Sequence, residues 1–381
     1  MTRKGFIPRQ VDSPKVPEVI KQIPDPLELP RTPQQRPPTW VWMLVFVIAA
    51  VVLIVILFRT GTRLGGGAMF MAPLMLISML GMMRNRSSND KTRPAAIGQS
   101  RADYTRALDE VRVDVQENAR LQAAEIAYHH PNPTTGSLLT LVNTGRMWER
   151  GVDDRNFGHV RIGVGLSKLA MTLEPPKKVP PAELRETITT VAMRDFLLAQ
   201  NVVHDVARPI HLFDQMGYAF FAEPDQRATV QALLRAMVCQ LATWHAPDVV
   251  RLAIVSDDGP SWEWAKWLPH VADRDFVDAS GSGRLIFASV DDLMVRFTDL
   301  ASRPDWAPRI KGGAAPSEWM VVVVDVPGGN VAPILGTMGH AGVSVLEATG
   351  DDHSPLATAT TAFLVDDDGN LLRAEPESMV R

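Results

Sequence analysis

Apolar residues fall along this chain in three patterns, each predicting a different kind of element. From Trp40 to Phe58 ("WVWMLVFVIAAVVLIVILF") nineteen residues pass without a charge. As a helix, at about 1.5 Å per residue, they would cover roughly 28 Å, close to the hydrocarbon thickness of a bilayer. A second apolar segment, Leu64 to Met83, follows the turn "RTGTR" and contains glycines and Pro73. Together these segments predict a transmembrane hairpin, 40–58 and 64–83. Lysine and arginine are dense before the first segment and after the second but sparse between them, which predicts both termini in the cytoplasm and an inner-membrane, multi-pass protein. Trp40, Trp42, Arg59, Arg84 and Arg86 are the expected membrane-interface residues.

The second pattern has helical spacing. Tyr104, Leu108, Val111, Val115, Ala119, Ala123 and Ile126 recur every three or four residues up to "HHPNP" at 129–133, which predicts an amphipathic stalk helix. Residues 84–137 thus read as a polar linker and a stalk. Leu108, Val111 and Val115 are candidate partner contacts, because so short a seam must pack against a neighbouring subunit or the domain that follows. Ahead of the hairpin, residues 1–39 are dense in proline and predict an extended cytoplasmic arm.

The third pattern, over 138–381, is an alternation of strands and helices. "HVRIGVGL", "GYAFF", "VVRLAIVS", "RLIFAS", "EWMVVVVDVP" and "VSVLEA" read as strands, with helices over 180–201, 226–242 and 290–302. "TAFLVDDDGNLLRA" reads as two strands turning at Asp368–Gly369. Near-continuous apolar strands alternating with helices imply a largely parallel sheet covered on both faces. The fold class expected is therefore α/β: a two-helix transmembrane hairpin and stalk, then a mostly parallel, P-loop-NTPase-like sheet domain.

That domain lacks its phosphate loop. The strand "GYAFF" and the helix after it are joined by Ala222, Glu223, Pro224, Asp225, Gln226 and Arg227. A phosphate loop needs glycines for converging N–H groups, a lysine for the phosphates and a hydroxyl for magnesium. None is present in this turn, and Asp225 is placed to cap the helix instead. "VVVVDV" ends in Asp325, as a magnesium-binding Walker B strand would, but Val326 replaces the carboxylate that would polarise water. Elsewhere G-x-x-x-x-G-K-[ST] does not occur. No nucleophile–base pair or metal-ligand spacing stands out, and Cys239 is a lone core residue. A net charge of −4 gives no reason to expect a nucleic-acid partner. The chain by itself is expected not to be an enzyme, and to hold no cofactor or metal.

The order of segments, with "HHPNP", "RMWER" at 146–150, "RIGVG" at 161–165, "MVCQLATWHAPDVVRLAIVS" at 237–256 and "WEWAKWLPH" at 262–270, resembles the EccC family. These are the membrane-anchored FtsK/SpoIIIE-type ATPases of type VII (ESX) secretion. The resemblance spans about residues 1–365 and implies a degenerate first ATPase-like domain, with ATP and magnesium used only in downstream domains. It implies partners as well: EccB-, EccD- and EccE-like membrane subunits, other EccC copies, membrane lipid and, through downstream domains, secreted helical-hairpin substrates. The sequence reaches Arg381 before any active phosphate loop, so the expectation is the ordered part of a longer protein. Arg146, Trp148, Trp262, Trp264 and Trp267 are candidate partner contacts, although tryptophans beside a sheet are more often core. Two functions stay open: an assembly and coupling part of a secretion motor, or a nucleotide-binding sensor or ATPase with a non-standard site in 217–326.

Overall fold

The computed structural model describes residues 13–29, isolated positions between 48 and 59, and 68–374 apart from 134–135, 308–315, 317 and 352; along 68–94 it describes the backbone alone. The chain divides into two compact units, one built on Pro17–Arg120 and Lys168–Val202, the other on Leu121–Ser167 and Val203–Arg381.

The first unit is organised by helix α1, Ala68–His129, of 62 residues, as far as Arg120; its last turns, from Leu121, belong to the second unit. The helix's buried seam is Tyr104, Leu108, Val111, Val115 and Asn118; the first four are the stripe that the three-and-four spacing predicts, whereas Asn118 is buried beside the expected Ala119, and Ala119, Ala123 and Ile126 are only half-buried. The unit covers that seam with its own chain. Ile20–Gln22 pairs in parallel with Thr172–Glu174, and Ile23, Leu169 and Met171 are buried beside it. Asn118 donates to Pro17 O at 3.2 Å and accepts from the Met171 N–H at 3.2 Å, so the one polar residue in the stripe is satisfied from both sides. Helix α2, Thr187–Gln200, begins at Glu186, whose carboxylate accepts from the Thr189 N–H at 2.7 Å and from Arg101 at 2.8 Å.

The transmembrane hairpin and the inner-membrane placement resting on it are corrected here. Among the described residues no helix is long and apolar enough to cross a membrane. Among the described residues α1 starts at Ala68 and runs without a break through Arg84, Arg86, Lys91 and Arg93. Its uncharged part, 68–83, spans roughly 24 Å at helical rise, short of the ~30 Å core. A polar composition at 84–100 suggested a linker, yet polar residues do not forbid a helix. Of Trp40–Phe58 only Ile48, Val51, Val52 and Val55 are described, each helical and exposed. Trp40, Trp42 and the rest of that segment lie outside the described residues.

The second unit contains a seven-stranded sheet. Its strands in chain order are β1 Gly217–Phe221, β2 Val250–Ser256, β3 Ile286–Phe287, β4 Trp319–Asp325, β5 Val343–Thr349, β6 Ala362–Val365 and β7 Leu371–Ala374. Across the sheet the order is β7-β6-β1-β5-β4-β2-β3, parallel except for the β6–β7 edge pair. Every residue of β2, β4 and β5 is buried, which is why these strands read as near-continuous apolar runs rather than as alternations. Helix α3, Arg227–Trp244, follows β1 and buries Val230, Leu234, Met237, Val238 and Leu241. β5 lies between β1 and β4, so the turn after β1 and the end of β4 open at the same carboxyl edge, where parallel sheets bind ligands.

Candidate functional site

At that edge a buried carboxylate is enclosed by the protein's own side chains. Asp325 is the last residue of β4 and has no solvent exposure. One of its oxygens accepts from Arg227 Nη2 at 3.1 Å. The other accepts from Gln231 Nε2 at 3.0 Å and from Trp262 Nε1 at 2.9 Å. Arg227 and Gln231 are four residues apart at the start of α3 and therefore share a face. Trp262 stands after β2, where Asp258 caps a short helical turn by accepting from the Ser261 N–H at 3.4 Å. A second carboxylate, Asp257, lies 3.7 Å from the same guanidinium.

The charge balance matters more than any single contact. A carboxylate out of water needs a paired cation and full hydrogen bonding. Here Arg227 supplies that cation from within the chain. The turn itself offers no cradle for phosphate: Glu223, Pro224 and Asp225 are exposed and Ala222 is buried. Asp225 does not cap α3. Gln226 is the N-cap, without a side-chain cap bond, and its own N–H bonds to Glu223 O at 2.9 Å.

The far end of α3 carries a second cluster, built by "RMWER". The Trp148 N–H and the Arg150 N–H donate to Thr243 O and Trp244 O at 2.9 and 3.0 Å, and Trp148 Nε1 donates to Ala242 O at 3.0 Å. Three of the carbonyls that α3 leaves unpaired are thereby satisfied. Trp148 adopts φ 61, a left-handed conformation rare for a bulky residue. The same segment also closes the last turn of α1. Arg146, Arg150 and Arg161 donate to Tyr128 O, His129 O and His130 O at 3.0, 2.5 and 3.2 Å, placing cations at the negative end of a helix dipole. The guanidiniums of Arg146 and Arg150 lie 5.0 and 4.4 Å from the Trp244 ring, within cation–π range.

Several histidines surround this joint, and burial keeps His130, His159 and His245 neutral at pH 7. His130 is pushed down to about 3, first by burial and then by Arg150. His159 falls to about 4 by burial and then His211, and His245 to about 3 by burial and then Arg150. His245 accepts from the Gly158 N–H at Nε2 and lies 3.1 Å from Leu241 O at Nδ1, which fixes its tautomer. Burial also draws Arg150 down to about 9, leaving it a cation at neutral pH.

The candidate residues thus separate. Arg227 and Asp325 meet at the closed site, joined by Trp262 from the "WEWAKWLPH" stretch. Trp264 stacks on Trp262 at 6.1 Å. Trp267 is 79% exposed, with Lys266 against its ring. Arg146 and Trp148 belong to the joint, and Leu108, Val111 and Val115 are buried within the first unit. Arg59 is helical and exposed, and Arg84 and Arg86 lie on the α1 backbone. Sequence reasoning weighed Arg150 beside Arg146 and Trp148 as a partner contact or packing residue, and missed Gln231 and Arg161. The i, i+4 pairing of Arg227 with Gln231 directly after the turn was a usable signal; for Arg161 only the fold supplies one.

No protein-family model matches the chain. It is 32% identical over 353 residues to the ESX-5 secretion system protein EccC5 of Mycobacterium tuberculosis, covering 89% of this chain and 25% of that protein. To the ESX secretion system protein EccC of Thermomonospora curvata it is 33% identical over 308 residues, covering 79% and 22%. The chain therefore spans about a quarter of the length of these relatives. Among solved structures, the cytoplasmic domain of the Thermomonospora curvata type VII secretion ATPase EccC overlaps 62% of this chain and 25% of that one, at 14% identity and a TM-score of 0.34, too slight a likeness to carry an argument.

Proposed function

The chain belongs to the EccC family of ESX secretion proteins, and on that premise we propose that its sheet unit is a non-hydrolysing, ATPase-like module that couples other subunits of a type VII secretion machine to ATPase domains elsewhere in it. One observation carries this reading: both oxygens of Asp325 are already taken by Arg227, Gln231 and Trp262. A site that supplies its own cation has no vacancy for magnesium, and a turn without glycine, lysine or hydroxyl has no grip on a triphosphate. The module keeps the framework, and what remains for it is mechanical: a helix, α3, fastened at one end to the sheet and at the other to α1. In this proposal the partners are EccB-, EccD- and EccE-like subunits and other copies of the chain, with ATP and magnesium used outside this stretch.

Titration of the full chain with Mg·ATP tests the proposal. The expected result is no saturable binding up to millimolar nucleotide and no phosphate release. Saturable binding that Asp325→Ala abolishes would overturn it in favour of a nucleotide sensor.

A further inference from the structure

Residues 17–29 sit in the first unit as a peptide sits in a groove. They run opposite to α1 along its buried seam. Asn118 Nδ2 donates to Pro17 O at 3.2 Å, Lys21 meets Asp114 at 2.6 Å, and Tyr104 Oη donates to Pro24 O at 3.3 Å. Leu27 and Leu29 then line a cleft with Ala96, Ile97 and Ser100. The other wall of the groove is 172–189. The Thr172 N–H donates to Val19 O and the Ile23 N–H to Glu174 O, both at 3.0 Å, and the Lys178 N–H donates to Asp25 Oδ1 at 3.1 Å. Every hydrogen bond described for 17–29 runs to one wall or the other. Within this stretch only Ile23 and Pro26 are buried. Ile23 is 1% exposed, whereas Ile20 on the same short strand is 66% exposed.

Strand addition beside a deep side-chain anchor is how extended peptides are recognised. Pro17, Pro24 and Pro26 fix φ along the stretch and so reduce the freedom lost on docking. We propose that the groove between α1 and 172–189 is a peptide-binding site, and that residues 17–29 fill it as a detachable strap, released while the rest of the unit stays folded. The pattern it reads is Lys-x-Ile-Pro-Asp. Ile23 is the plug, and Asp25 fixes the register on the Lys178 N–H. The Lys21–Asp114 pair is exposed on both sides and adds little. One plug binds weakly in solution, but the arm is covalently tethered to α1, and its effective concentration keeps the groove occupied. Release uncovers Tyr104 and Asn118, so the strap governs what this face of α1 can touch. The proposal stands independently of the closed Asp325 site.

Hydrogen exchange on the unaltered full chain tests for release. The amides of Ile23, Leu29, Thr172 and Glu186, which bond across the strap's edges, are expected to exchange together and at least tenfold faster than those of α1 at 108–115. Exchange of all of them at one rate would make the strap a fixed part of the unit and overturn the proposal. A labelled synthetic peptide of residues 13–29 tests the site. It is expected to saturate the full chain carrying Ile23→Asp at concentrations at least tenfold below any that bind the unaltered chain. Ile23→Asp in the peptide should weaken binding at least tenfold, while Ile20→Asp should leave it unchanged. No saturable binding to the folded Ile23→Asp chain, or equal losses from the two peptide substitutions, would also overturn it. Should that chain fail to fold, the exchange rates of the unaltered protein decide alone.

Discussion

At the N-terminal end of α3 an arginine meets a carboxylate; at the C-terminal end two arginines meet carbonyl oxygens and an indole face. Arg227 neutralises Asp325, a full charge with no exposure to solvent. Arg150 meets only carbonyl oxygens, those of His129 and His159, while Arg146 adds the partly exposed Glu149 at 2.8 Å to the Tyr128 carbonyl at the end of α1. The first contact therefore exists because a buried anion would otherwise be untenable, while the second completes hydrogen bonds that two helix ends leave open. What separates the ends is the cost of removing the cation: an uncompensated charge at one, orphaned neutral groups at the other.

Substitutions can break this comparison in order of size. Arg227→Ala is expected to cost most, about 4 kcal/mol, because Asp325 keeps only Gln231 and Trp262 as donors. Adding Asp325→Asn should recover a large part of it, measured as a double-mutant cycle by denaturant unfolding. If Arg227→Ala proves neutral, the guanidinium is not the cation that holds this site. Arg150→Ala is expected to cost about 3 kcal/mol, leaving His129 O and His159 O without a donor. Its signature should be faster hydrogen exchange at 121–130 and 242–245. Trp148→Ala should cost about 2 kcal/mol, losing the indole bond to Ala242 O while keeping the left-handed backbone. Trp148→Gly should cost less, since glycine adopts that backbone freely. Equal losses would show that φ at 148 is not strained.

The smallest effect is that of pH, and it sharpens the contrast because it acts through the joint. His130, His159 and His245 have folded values of about 3, 4 and 3, below the ordinary 6.5. The unfolded chain therefore takes up more protons than the folded one as pH drops, and the stability present above 6.5 is lost on acidification. Glu347 works the other way: burial raises it to about 7, so its contribution is full below the ordinary 4.5 and lost as pH rises through 7. Three imidazoles outweigh one carboxyl. Stability should fall by on the order of 1 kcal/mol from pH 7 to 6 and more steeply below. A melting temperature constant from pH 7 to 5 would contradict this.

Legibility in the sequence followed the range of the interactions. "VVVVD" declared a doubly covered strand, and the absence of glycine, lysine and hydroxyl from 222–227 was plain, because both are local properties of adjacent residues. The seam of α1 was equally plain in its period. Its cover was not, since Pro17, Ile23 and Met171 arrive from segments far away in the chain. The membrane hairpin was read from apolar composition alone, and composition does not say where a helix begins or whether it continues into charged residues.

The sequence by itself settled which residues could form strands and helices and which side chains the turn after β1 carries, because backbone propensity and side-chain inventory are fixed locally. Only the tertiary structure decided what became of Asp325. Arg227 stands 98 positions before it and Trp262 63 before it, and no period links them. The order of parallel strands brings α3's first turn, the loop after β2 and the end of β4 to one edge. A buried carboxylate there must take the nearest cation, and the fold makes that cation the protein's own.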